Sequence, residues 1–207
     1  MKKYILNNLL SYFFGFFLIF SPLAFAESVL DVTEKDFIIG VENAPITIIE
    51  YASLSCSHCA DFHINTLPEL IKEFVDTGKA RIVFRDFPFN YPALLGSMVL
   101  RCVPEDIRYE YSNALYHLQS KWVLRENAKT TQELYKIMQS GGMTKERFNE
   151  CIDNVDLENE ILNGLMAAQS EFNIKSTPSF LINGILIEGN KTIKDFRQII
   201  DKILSEQ

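Results

Sequence analysis

Apolar and polar residues alternate first with the period of a strand and then with that of a helix. The run Ile46 to Ser53, introduced by Pro45, is rich in β-branched residues, and its parity puts Ile46, Ile48, Glu50 and Ala52 on one face. Directly afterwards Cys59, Phe62, Leu67, Leu70, Ile71 and Phe74 recur at helical spacing up to Gly78, and Ala80 to Phe87 reads as a second strand. That order predicts a β-α-β unit, with parallel strands and a right-handed crossover. Pro68 lies inside the helical stretch and predicts a kink there, because it has no N–H to donate to the preceding turn.

From about Pro92 to Phe172 the pattern is helical throughout. Leu94, Leu95, Met98, Val99 and Cys102 share one face, and Ile107, Tyr111, Ala114, Leu115 and Leu118 another. Thr130 with Glu133 predicts a capping-box start for a helix that ends at Gly141-Gly142. A shorter helix carries Phe148, Cys151 and Ile152; a longer one carries Leu157, Ile161, Leu165, Ala168 and Phe172. Strand signals return at Ser179 to Ile182, the turn Asn183-Gly184 and Ile185 to Glu188, which together predict a hairpin. A last amphipathic helix from Thr192 buries Ile193, Phe196, Ile199, Ile200 and Ile203. The chain is thus of the α/β class: β-α-β, an all-helical block, a β-hairpin and a final helix.

Composition narrows this picture. The 207 residues are 47% hydrophobic and 23% charged, which fits one globular domain with a core. A net charge of -7 argues against nucleic acid as a partner, because phosphate binding needs clustered Lys and Arg. Lys2 and Lys3, the apolar run Leu9 to Phe20 and Ala24-Phe25-Ala26 read as a secretory signal peptide over residues 1–26. Twelve apolar residues make about 18 Å of helix, short of a hydrocarbon core of roughly 30 Å, so cleavage is expected in place of a retained anchor. Cleavage after Ala26 would leave 207 − 26 = 181 residues and a charge of 18 − 27 = -9. Export into the periplasm, a space that permits disulfides, is the expected localisation.

That compartment gives the four cysteines their meaning. Cys56-Ser57-His58-Cys59 stands where the first long strand meets its helix. Free N–H groups and the dipole at a helix start favour an anion, so Cys56 is expected to form a thiolate readily, and His58 to add charge or a hydrogen bond. Stabilising that thiolate favours the reduced state and makes the disulfide a better oxidant. Cys59, one turn on and facing the apolar side, is the expected resolving thiol. Ala60 follows Cys59, which excludes a c-type haem site. Zinc would find at most Cys56, Cys59 and His63, and no metal or other cofactor is expected. An inert disulfide across so short a loop would add little stability.

Together, CSHC after a strand, the β-α-β unit, the helical block and Thr177-Pro178 before a hairpin and terminal helix resemble the DsbA-like thiol-disulfide oxidoreductases. The resemblance covers about residues 36 to 204. It implies a thioredoxin-like domain over 27–90 and 173–207, interrupted by an inserted helical domain over 91–172. It also implies that Cys56 is the nucleophile, that Cys59 resolves, and that Pro178 is the cis-proline facing them, leaving the Thr177 backbone open to an incoming polypeptide. Ser57 and Thr177 replace a proline and, in many members, a valine at positions that tune the potential. The activity so implied is donation of the CSHC disulfide to reduced exported proteins, with reoxidation by a membrane DsbB-like partner. Fewer than 20 residues separate Glu27 from Ile46, too few for the dimerisation domain typical of the periplasmic isomerases, which argues against that activity; a monomer is expected.

Glu50 shares the face of Ile46 and Ile48, six residues before Cys56, and the family has an acid at the matching place. Buried there, it is placed to move protons for Cys59; at an exposed strand end it would be merely solvated. Cys102 and Cys151 lie on apolar helical faces, 49 residues apart, and a structural disulfide between them is expected; the alternatives are two buried free thiols acting as small hydrophobes, or a bond that tunes the active site at a distance. His63 and His117 look isolated, and Arg85 is a candidate charge partner for Glu50. Two other readings use the same residues: a reductase or isomerase of this fold, and a non-catalytic metal-binding or chaperone module built on the Cys56 and Cys59 thiolates.

Overall fold

The computed structural model describes residues 31–205, so the signal-peptide reading of residues 1–26 lies outside the described residues. Five strands form one sheet in the order β1 (Phe37–Ile39), β3 (Ala80–Asp86), β2 (Ile46–Ala52), β4 (Ser179–Ile182), β5 (Ile185–Glu188). β2 and β3 are parallel, as their connecting helix requires, and every other pairing is antiparallel. The edge strand β1 is one the hydrophobic pattern does not announce: three residues are too few for a period.

Between β2 and β3 the chain is helical from Ser57 to Val75 in four pieces. These are α1 (Ser57–Asp61), a π-helical segment (Phe62–Thr66), α2 (Leu67–Leu70) and a second π segment (Ile71–Val75). The first wide turn ends just before Pro68, which occupies the opening of α2, where a missing N–H costs no bond. The single kink expected at Pro68 is therefore spread over a π turn that carries Phe62 and His63.

The helices between the strands are α3 (Tyr91–Arg101), α4 (Glu105–His117), α5 (Gln119–Trp122), α6 (Asn127–Ser140), α7 (Lys145–Ile152) and α8 (Val155–Phe172); α9 (Ile193–Ser205) closes the described chain. Asn90, Thr144 and Asn154 cap α3, α7 and α8 by accepting from the N–H three residues on. Thr130 is no cap. α6 begins a turn earlier, at Asn127, and the buried Thr130 hydroxyl accepts from Leu124 N–H and donates to Leu124 C=O, tying the preceding loop to the helix. The capping-box pattern there reflects this loop closure.

Three buried clusters organise the packing. Ile46, Ile48, Phe62, Leu70, Ile82, Phe180 and Phe196 fill one face of the sheet beneath the Ser57 to Val75 helix and α9. Ile49, Tyr51, Val83 and Leu181 meet Ala168 and Ile174 on the other face. The third joins the helical block to the active-site loop: Leu54, Cys59 and Ala60 pack with Leu95, Val99, Leu115, Trp122 and Leu134. This is a thioredoxin fold with a helical insertion, and the insertion shares its core with the CxxC segment.

Candidate active site

Cys56 is the N-cap residue of α1, extended at φ -84°, ψ 124°, so its sulfur takes the place a serine oxygen would hold before the free N–H groups of the first turn. The thiol is free and half-buried; Cys59 is free and fully buried. The Cys56 thiol is lowered to about 5, first because the Cys59 thiol donates to its sulfur. Partial burial opposes this, while the Thr177 side chain and the N–H groups of Cys59 and His58 reinforce it. Burial pushes the Cys59 thiol far up; its role as donor to Cys56 and the charge of Glu50 push it the same way. The two sulfurs therefore divide into thiolate and thiol. His58 contributes its backbone N–H, and its side chain is exposed to solvent.

The Thr177-Pro178 bond is cis. The Thr177 carbonyl lies 3.3 Å from Cys56 Sγ and accepts from it in the thiol form. Thr177 Oγ1 is buried with no partner at hydrogen-bonding distance, yet its dipole favours both thiolates. Ser53 N–H points at Cys59 Sγ, 3.5 Å away.

Glu50 has no exposure, as its parity with Ile46 and Ile48 predicts for a covered face. Its partner is His63, whose Nε2 is 3.1 Å from each carboxylate oxygen. Arg85 is not its partner. In the ladder Glu50 faces Phe84, so Arg85 projects from the opposite side of β3, where it donates to both Asp36 oxygens at 2.8 Å and to the Tyr51 hydroxyl. His63 is far from isolated: its ring stacks on Tyr116 with centroids 4.0 Å apart. Its location seven residues after Cys56, inside the π turn, gives no periodic sign of this.

Three polar residues that the sequence reading does not single out fix the loop around the cysteines. Gln119 Nε2 donates to the carbonyls of Leu54 (2.9 Å) and Cys56 (3.0 Å), and Ser55 Oγ donates to Asn90 Oδ1 at 3.1 Å. An amide or hydroxyl at a helix start has no periodic signature, so only the packing reveals them. Cys102 and Cys151 form a disulfide, Cα atoms 6.2 Å apart, between the end of α3 and α7. No group of three His, Cys, Asp or Glu side chains among the described residues has the arrangement of a metal site.

A thiol of lowered pKa and a buried thiol one helical turn apart, opposite a cis-proline on this sheet, are the parts that thiol-disulfide exchange requires. A family model described as Thioredoxin matches residues 32–202, so the chain belongs to that family, among its DsbA-like members. A Rickettsia conorii protein that bears the name protein-disulfide oxidoreductase is 30% identical over 182 residues, 85% of this chain and 63% of the relative. The chain thus spans slightly under two thirds of that relative's length. Disulfide bond formation protein D of Bacillus subtilis is 22% identical over 180 residues, covering 81% of this chain and 76% of its own. The crystal structure of Wolbachia pipientis alpha-DsbA1 superposes with a TM-score of 0.80 at 29% identity, over 86% of this chain and 95% of that one.

Proposed function

We propose that the protein acts after export, in the periplasm, as an oxidant that donates its Cys56–Cys59 disulfide to reduced substrate proteins. The observation that carries this reading is the division of the two sulfurs: a Cys56 thiol lowered to about 5 beside a Cys59 thiol pushed far up. A substrate thiolate attacks Cys56 Sγ, the Cys56–Cys59 bond breaks, and Cys59 leaves as a thiolate that takes a proton. A second substrate thiolate then attacks the substrate sulfur of the mixed disulfide, releasing oxidised product and leaving Cys56 as thiolate. Because Cys56 leaves easily and is stabilised once it has left, the equilibrium favours disulfide in the substrate.

In this scheme Thr177 and Pro178 line the approach to Cys56, and the N–H groups of His58 and Cys59 hold the thiolate. Glu50 supplies and removes the Cys59 proton, a role supported by its burial and by its effect on the Cys59 thiol. The Cys102–Cys151 disulfide braces the insertion. Reoxidation falls to a membrane DsbB-like partner, and the protein works as a monomer.

The deciding experiment is equilibration of the Cys56/Cys59 pair with glutathione, alongside oxidation of a reduced unfolded substrate by stoichiometric oxidised protein. A potential well above the roughly −270 mV of thioredoxin, with rapid substrate oxidation, is the expected result. A thioredoxin-like potential would make the protein a reductase. Stoichiometric zinc in the purified protein, with no exchange, would favour the metal-binding reading.

A further inference from the structure

Glu50 poses a problem that the exchange scheme leaves open. It has no exposure, and its hydrogen bonds go to His63 alone among the described residues. Because His63 Nε2 lies 3.1 Å from both carboxylate oxygens, a proton that reaches Glu50 can pass on to the imidazole. Moving the Cys59 proton onto Glu50 during reoxidation would add a positive charge to this buried pair. Such a charge is costly away from water, so one proton must leave. The reverse half-reaction needs one to return.

His63 has the exit that Glu50 lacks. Its side chain lines a cavity of about 60 Å³, room for a few waters, between the end of β3 and helices α3 and α4. Glu50 does not reach that cavity. Tyr116 stacks on the imidazole and also lines the wall, with Phe84 beside it. The charged groups on the wall are Lys35, Arg85, Arg101 and Arg108 against Asp86, a balance that favours departure of a proton over its retention. Arg85 is held by Asp36, Arg101 by Asp86 and Glu160, and Arg108 by the Val103 carbonyl, so these cations are fixed.

We infer that His63 is the proton conduit between the buried Glu50/Cys59 couple and the water of this cavity, a positioning residue for the exchange and not a packing histidine. The inference rests on the exchange chemistry proposed above. When Cys59 Sγ attacks Cys56 Sγ of a mixed disulfide, the Cys56–Cys59 bond forms and the partner leaves as thiolate. The Cys59 proton passes to Glu50, and His63 releases a proton to cavity water. Nothing but protons passes through His63, and no further oxidant or reductant is involved.

The test is release of glutathione from a preformed Cys56–glutathione mixed disulfide, followed by acid quenching from pH 5 to 8 in the wild type, His63→Gln and His63→Ala. Glutamine keeps a donor on Glu50 but cannot carry a proton; alanine opens space for added imidazole. Both variants are expected to resolve the mixed disulfide about tenfold or more slowly, a smaller loss than the 10²–10⁴ of a direct acid or base. Their pH profiles should flatten, and imidazole should rescue His63→Ala saturably while leaving the wild type unchanged. His63→Gln within twofold of wild type at every pH would overturn the conduit, as would a pH-independent loss in His63→Ala that imidazole does not relieve. Failure of the wild type itself to release glutathione would instead remove the exchange reading beneath it.

Discussion

At Cys56 the sulfur is stabilised by short-range donors more than by any general field, since the chain is acidic overall and the first cause is the thiol of Cys59. Reduction should therefore take up one proton per two electrons above about pH 5 and two below it. The potential is expected to fall by about 30 mV per pH unit above that point and about 60 mV below, a break that glutathione equilibration across pH 4 to 8 would reveal. Replacing Cys59 by alanine removes the largest donor, so the thiolate absorbance of Cys56 at 240 nm should titrate at a pH clearly above 5; an unchanged midpoint would assign the effect to the helix start alone. At this scale the sequence revealed the cysteines through their spacing and Glu50 through strand parity. It revealed neither His63 nor the true partner of Arg85, because both depend on which face of a neighbouring element meets them.

Among elements, the contact that positions the site is the one between α3 and the loop before α1. Gly96 permits it: a Cβ at that position would lie 2.9 Å from Trp122 Cη2 and 3.0 Å from Leu54 Cδ1. Gly96→Ala is expected to cost about 1–3 kcal/mol by urea unfolding, as overpacking does, and to displace the Leu54 carbonyl from Gln119. A variant as stable as the parent would mean that Trp122 moves freely. The hairpin was legible for a local reason: Asn183 and Gly184 both have positive φ, at 47° and 85°, the conformation that this dipeptide favours. The α6 start was misread because a Thr-x-x-Glu pattern says nothing about whether the threonine points back to its own helix or sideways to a loop.

For the molecule as a whole, redox state and stability are linked. A Cys56 pKa depressed from 9.0 to about 5 contributes stability to the reduced fold that is fully present above pH 9 and lost as pH falls through about 5. Cys59, shifted upward, opposes folding only above its unfolded value, outside that window. Reduced protein is thus expected to lose its stability advantage over the oxidised form between pH 8 and 4.5 in parallel urea unfolding experiments; a constant difference would contradict the lowered thiol. Replacing Cys102 and Cys151 together by alanine should cost about 4 kcal/mol in the entropic model for their 49-residue loop, measured at fixed redox state of the active-site pair.

The sequence alone determined the α/β class, most of the element order and the CxxC spacing at a helix start, because periodicity, turn dipeptides and motif spacing are local properties of the chain. Tertiary structure decided the rest. It set the short edge strand against β3, turned Arg85 toward Asp36, brought Gln119 to the Cys56 carbonyl from 63 residues away, and placed His63 between Glu50 and a cavity. Each of these depends on the relative placement of elements distant in the chain, which side-chain packing fixes and no local pattern encodes.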